Sequence, residues 1–257
     1  MVKRLLSILL LGVAALTANA QYQFPNSTFD EDFISSYDSY TEPRGWHGYA
    51  TLDATGLNKN GRDGSKLVQS DAVRPGASGK CVYIKSTSIL GVVANGVMTN
   101  GQIGSYSTTA TDGSQNYNFS DPSNTKASGF GENNQFFTPF TGRPDAFKVW
   151  MKFAPAKSNT GNARVSLYTH KAGTKMYDPT NNANMNDVVS HAEMVFPACD
   201  WTQFTIPFSY NYASGEDTPG LILVTFTTNE TPGKGSAGDM LYIDDMEMVY
   251  YSTMLSC

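Results

Sequence analysis

The run Phe147-Lys148-Val149-Trp150-Met151-Lys152-Phe153 constrains the fold more than any other part of the chain. Phe147, Val149, Met151 and Phe153 recur at every second position, with Lys148, Trp150 and Lys152 between them. A period of two sends the two sets to opposite faces of a pleated strand, whereas a helix would scatter both around its circumference. Arg164 to His170 repeats the pattern, with Val165 and Leu167 on one side and Arg164, Ser166, Tyr168 and His170 on the other. Phe204, Ile206 and Phe208 alternate in the same way. Leu221 to Phe226 is apolar on both faces, which predicts a central strand covered from both sides.

The stretch LYIDDMEMVY carries a phase slip. Leu241 and Ile243 are in step, but after Asp244 and Asp245 the apolar set becomes Met246, Met248 and Tyr250. One extra residue in a strand does this, so a β-bulge is expected at the paired aspartates. Val82 and Ile84 share one face of a strand beginning at Cys81. Phe24 to Asp30 reads as a short first strand. Asp187 to Phe196 fits either period, and its strand neighbours favour a strand. Asn100 to Asn134 is poor in hydrophobic residues and reads as a long loop, with Gly104 to Thr111 as a candidate strand within it. Turn-separated strands without a convincing helix predict an all-β, antiparallel jelly-roll sandwich. Phe147, Val149, Met151, Phe153, Phe204, Ile206, Phe208, Leu223 and Ile243 are the expected core.

Residues 1–20 read as a signal peptide. Lys3 and Arg4 precede the apolar run Leu5 to Leu16, and Ala18-Asn19-Ala20 supplies small residues for cleavage. The chain is therefore expected to be secreted or periplasmic, and without a cysteine at the cleavage site it lacks a lipoprotein signature. Residues 21–257 form the expected single domain. It stops abruptly at Cys257, so a further C-terminal domain is expected in the full-length protein. No second apolar run predicts membrane insertion. A net charge of −5 with no basic run argues against nucleic acid as a partner. Cys81, Cys199 and Cys257 are not spaced as a disulfide framework.

The runs FPNSTFDEDF, GVVANGVMTNGQIG, TGRPDAFKVWMKF, YDPT, WTQFTIPFSY and LYIDDMEMVYY, in this order, resemble the family called "putative carbohydrate metabolism domain" in Bacteroidetes. The resemblance spans Phe24 to Tyr251. It implies a jelly-roll domain like those of carbohydrate-binding modules, exported by a bacterium that uses polysaccharides, and it carries no catalytic signature.

The candidate ligand contacts are chosen from the outward positions and the aromatic turn. Sugar rings stack an apolar face on an aromatic ring and present hydroxyls at their rims. Trp150 stands on a hydrophilic face between Lys148 and Lys152; Arg164, Tyr168 and His170 leave the core on the same kind of face. Trp46 and His47 lie in a glycine-rich turn that could form a rim. Trp201 reads as core. Asp244, with Asp30 or Glu31 opposite it on the first strand, is the candidate for a structural Ca²⁺ site, since Ca²⁺ gathers oxygen ligands from carboxylates and carbonyls. Glu132, Asp178, Glu193 and Glu247 are available for glycoside hydrolysis, which needs two carboxyls flanking the bond, but nothing in the sequence pairs them. No GxSxG, P-loop or Cys–His signature is present. A non-catalytic, oligosaccharide- or polysaccharide-binding module is the leading reading. A glycan-active enzyme on the same fold, or a structural module packing against a following domain, are the alternatives.

Overall fold

The computed structural model describes residues 21–64, 67–89, 91–124, 129–158, 161–179, 184–211 and 218–251. Residues 1–20, read above as a signal peptide, and Cys257 lie outside the described residues. The strands that matter here are β1 (Leu67–Ser70), β2 (Cys81–Lys85), β3 (Val97–Thr99), β4 (Gln102–Ser105), β5 (Asn116–Ser120), β6 (Thr138–Pro139) and β7 (Ala146–Ala154). They continue with β8 (Ala163–His170), β9 (Met176–Asp178), β10 (Val188–Phe196), β11 (Cys199–Pro207), β12 (Ser209–Tyr210), β13 (Leu221–Thr227) and β14 (Met240–Val249). Among the described residues, no helix is long and apolar enough to cross a membrane.

Two antiparallel sheets face one another. The first runs β11-β7-β14-β2-β1; the second runs β6-β13-β8-β10-β12, with β3 also paired to β13. The chain crosses between them at each long connection, from β7 to β8, β10 to β11 and β13 to β14, which is the jelly-roll pattern. Period two then places the core. Phe147, Val149, Met151 and Phe153 of β7 meet Val165 and Leu167 of β8, Phe196 of β10 and Phe226 of β13 in one cluster. Phe147 lies 6.3 Å from Phe226 and Phe153 lies 6.4 Å from Phe196, ring to ring across the two sheets. Each such side chain contributes about 1.5–3 kcal/mol when fully buried. The expected core is buried except for Phe204, which packs against it half-buried. Leu223 is buried on the other face of its strand, in a small cluster with Tyr168, Met176 and Val188.

The bulge is where the sequence puts it. β7 pairs Lys148 with Glu247 and Trp150 with Asp244, so Val149 faces two residues, and Asp245 takes φ 43°. Val188–Phe196 is a strand. Phe24–Asp30 is not one: it forms turns, with Asn26 and Phe29 at positive φ, and lies beside β14 through a Met246 N–H to Ser27 carbonyl bond of 3.0 Å. Trp201 is not core either: it stands out of phase with Phe204, Ile206 and Phe208, and its ring is half-exposed beside Tyr242, 6.1 Å away.

The larger departure is a third sheet. The segment read as a long loop holds β4 and β5, which pair with each other and with β9 as β9-β5-β4, joined by Asp53–Ala54 parallel to β4. It lies on the outer face of the second sheet. Gly101 permits the approach, since a Cβ there would sit 2.3 Å from the carbonyl oxygen of Phe119. The strand expected at Gly104–Thr111 is instead Gln102–Ser105, starting two residues earlier and ending six earlier.

Candidate functional site

Between the third sheet and the outer face of the second lies a cleft of about 680 Å³. Its floor comes from β8 and β10, whose outward positions include Arg164 and Glu193. Its far wall comes from β5, with Asn116, Tyr117 and Asn118. A third side is the hairpin Thr87–Ile89 and Val92–Ala94, which contributes Ile89, Val92 and Val93 and turns at Gly91 with φ 83°. The segment Asn229–Gly233 closes the remaining edge. The cavity falls within the ordinary range for small-ligand sites.

The cleft has two chemistries. Ile89, Val92, Val93, Val97 and Ile103 are aliphatic, and Asn58, Asn116, Asn118 and Asn229 set amides among them, Asn118 standing directly opposite Ile103 on the neighbouring strand. Val92 is 41% exposed, an aliphatic side chain facing solvent. Tyr117 belongs to an aromatic group with Tyr177 at 4.8 Å and Tyr106 at 5.8 Å. Burial, with Tyr177 adding to it, raises the pKa of the Tyr117 phenol, so its hydroxyl remains a donor at neutral pH.

Arg164 organises the floor. Its Nη1 and Nη2 donate to the two carboxylate oxygens of Asp178 at 3.1 and 2.7 Å, and its Nε and Nη2 donate to Glu193 at 3.2 and 3.3 Å. Ser166 Oγ donates to Asp178 Oδ2 at 2.7 Å. The pattern follows from register: Ser166 stands opposite Glu193, and β9 brings Asp178 down onto the same face. Burial opposes the charge of Arg164, but Asp178 and Glu193 outweigh it and hold the guanidinium pKa above its ordinary value. Asp178 is fully buried, whereas the Glu193 side chain is 34% exposed. The carboxylate of Glu193 is thus fixed from behind and open toward the cleft.

Of the ligand contacts expected from sequence, only Arg164 lines this cleft. Tyr168 and His170 share its face of β8 but are covered by the third sheet. Tyr168 is 7% exposed, stacks on His191 and packs with Met176 of β9. Burial, with Asp178 adding to it, pushes its phenol up to about 12. His170 is fully buried; Nδ1 donates to Thr174 Oγ1 at 3.1 Å, and Nε2 has no partner. Burial pushes its pKa down to about 4, so it is a neutral packing residue. Trp150, Lys148 and Lys152 lie on the first sheet, at the opposite side of the sandwich, so the six do not form one surface. Arg74 lies 5.0 Å over the Trp150 ring and pairs with Asp245, while Lys148 and Lys152 pair with Glu247 and Asp200. Trp46 and His47 are not a rim. Trp46 is 1% exposed among Phe24, Phe29 and Phe226, and His47 is buried with Nε2 donating to the Gln135 carbonyl at 2.9 Å.

Asp244 is buried at the bulge, and its Oδ1 accepts the Asp245 N–H at 2.9 Å. Burial first, then the adjacent Asp245 and also Asp30, push its carboxyl up to about 7. Asp30 is exposed and accepts the Lys80 N–H at 2.7 Å. Among the described residues no three His, Cys, Asp or Glu side chains converge as a metal group. Any cation there would draw its other ligands from main-chain carbonyls and water. Cys81 and Cys199 are free thiols.

No family model matches the chain, and no curated protein matches it. Among solved structures it is similar to a "putative glycoside hydrolase" from Bacteroides thetaiotaomicron, with TM-score 0.53 and 16% identity over 87% of this chain and 72% of that one. It is also similar to a cyclase from Fischerella sp., with TM-score 0.41 and 10% identity over 89% and 98% of the two chains. A third is the CBM22-1 xylan-binding domain from Paenibacillus barcinonensis Xyn10C, with TM-score 0.36 and 11% identity over 86% and 97%. At its identity the first match shows a shared fold, and the other two are too distant to bear on function. The chain is an all-β jelly-roll sandwich to whose second sheet a third has been added.

Proposed function

We propose that the cleft between the second and third sheets binds a glycan without cleaving it. The observation that carries this is the lining itself, in which aliphatic and aromatic side chains are interleaved with amides around a fixed carboxylate. A sugar ring presents both chemistries, an apolar C–H face and a rim of hydroxyls. The Asn229 amide oxygen has no partner in the protein and can accept from such a rim, whereas both ends of the Asn116 amide are spent on the 106–109 backbone, and Glu193 accepts from a vicinal pair of hydroxyls. Hydrolysis needs a second carboxyl across the bond. Asp178 does not supply it, since both of its oxygens are engaged by Arg164 and Ser166, and the remaining carboxylate, Glu230, stands at the exposed rim against Asn162.

Export through the leader at residues 1–20 places the domain where polysaccharide is met. A Ca²⁺ ion held by Asp244, with Asp30 nearby and carbonyls completing the shell, would be structural: its charge compensates a buried carboxylate at the bulge. A glycan array followed by titration calorimetry tests the reading, alongside a reducing-sugar release assay on the same glycans. Binding without sugar release is expected. Release of reducing ends that Glu193→Gln abolishes would make the cleft an active site instead.

A further inference from the structure

The charges lining the cleft carry a statement about which glycans enter it, one that rests on the glycan-binding reading above. Among the described residues the lining holds one cation, Arg164, against three carboxylates, Asp178, Glu193 and Glu230, a formal charge of −2. The cation is not free to meet a ligand. Asp178 takes one fork of its guanidinium and Glu193 takes another, and the side chain is 13% exposed. A site for acidic sugars would present that fork outward, since Arg recognises carboxylate and sulfate by paired N–H bonds. Here the fork points at the protein's own carboxylates, and what faces the cleft is Glu193. Glu230 stands exposed at the rim, its carboxylate 3.4 Å from Asn162 Nδ2.

We infer that the cleft selects glycans by charge: it takes uncharged chains and rejects those bearing uronate or sulfate groups, with Glu193 and Glu230 as the specificity-determining residues. An anionic sugar brought against a fixed carboxylate in a partly dehydrated cleft is repelled and finds no unpaired guanidinium to compensate. Neutral hydroxyls instead find acceptors in Glu193 and in the unpartnered amide oxygen of Asn229.

The test is calorimetric titration with two panels of oligosaccharides. One is neutral (gluco-, xylo-, manno- and galacto-oligosaccharides). The other is acidic (oligogalacturonates, glucuronoxylan fragments and sulfated galactan fragments). The best neutral ligand should bind at least tenfold more tightly than any acidic one at low salt, a difference of about 1.4 kcal/mol. Raising the salt should narrow the gap. Glu230→Gln, at an exposed position where folding is not at risk, should narrow it too, and Glu193→Gln should narrow it further. Acidic oligosaccharides that bind as tightly as neutral ones, and lose binding in Tyr117→Ala, would overturn the charge rule and leave the glycan reading standing. Failure of both panels to bind would overturn both.

Discussion

Replacing Arg164 by leucine should destabilise the protein severely, and the reason is Asp178. That carboxylate is fully buried, and apart from Arg164 its oxygens have the hydroxyl of Ser166. Removing the guanidinium leaves an uncompensated buried charge, which costs about 3–5 kcal/mol. Glu193 adds little to this, because it is partly exposed and regains water. For a domain of this size, 1 kcal/mol moves the melting temperature by about 2–4 °C, so a fall of roughly 6–20 °C is expected. Urea unfolding and differential scanning calorimetry read the loss. The informative second variant is Arg164→Leu with Asp178→Asn, which removes both charges. It should recover most of the loss, giving a coupling energy of about 2 kcal/mol or more. A loss below about 1 kcal/mol in the single variant, or a double variant less stable than the single, would refute the reasoning.

Two buried groups make opposite contributions to pH dependence, measured with chelator present. His170, held down to about 4, contributes about 3 kcal/mol that is fully present above its unfolded value near 6.5 and is lost as pH falls toward 4. Asp244, held up to about 7, contributes about 4 kcal/mol that is fully present below its unfolded value near 3.8 and is lost as pH rises through 7. Wild-type stability should therefore vary little between pH 4 and 7, while His170→Asn loses stability with rising pH and Asp244→Asn with falling pH; equal slopes in all three proteins would contradict the assignment. Chelator should lower the melting temperature at pH 8 and Ca²⁺ should restore it, and Asp244→Asn should remove the response. Gly101→Ala should cost about 2 kcal/mol or more by forcing the third sheet off the second, seen as early exchange of the β4 and β5 amides; an unchanged exchange pattern would mean that the contact at Phe119 is slack.

The sandwich was legible because its strands are long and alternate. β7 and β8 have eight or nine residues each, enough for the period to stand out, and the bulge at Asp244 announced itself as a slip in that period. The third sheet was not legible. Its strands run two to five residues, β5 reads Asn-Tyr-Asn-Phe-Ser, and its partner Tyr177 lies nearly sixty residues on from Phe119. Without that sheet, the outward face of β8 reads as open, so Tyr168 and His170 pass for ligand contacts when they are covered. Arg164 was rightly placed at the surface of its sheet, but the carboxylates that claim it come from β9 and β10. Asp178 and Glu193 were recognised as acidic residues, and nothing in their spacing showed that they meet on one guanidinium. Trp46 failed for another reason. A glycine-rich turn permits a ring to swing either way, and here it swings into the core.

The central claim is that ligand enters between the second and third sheets and leaves the open face of the first sheet untouched. Nuclear magnetic resonance titration with the best neutral oligosaccharide tests it directly. Side-chain amide signals of Asn116, Asn118 and Asn229 should shift on binding, while the indole N–H signals of Trp150 and Trp201 remain in place. Shifts confined to the two indoles, with the asparagines unmoved, would put the binding face on the first sheet and contradict the account.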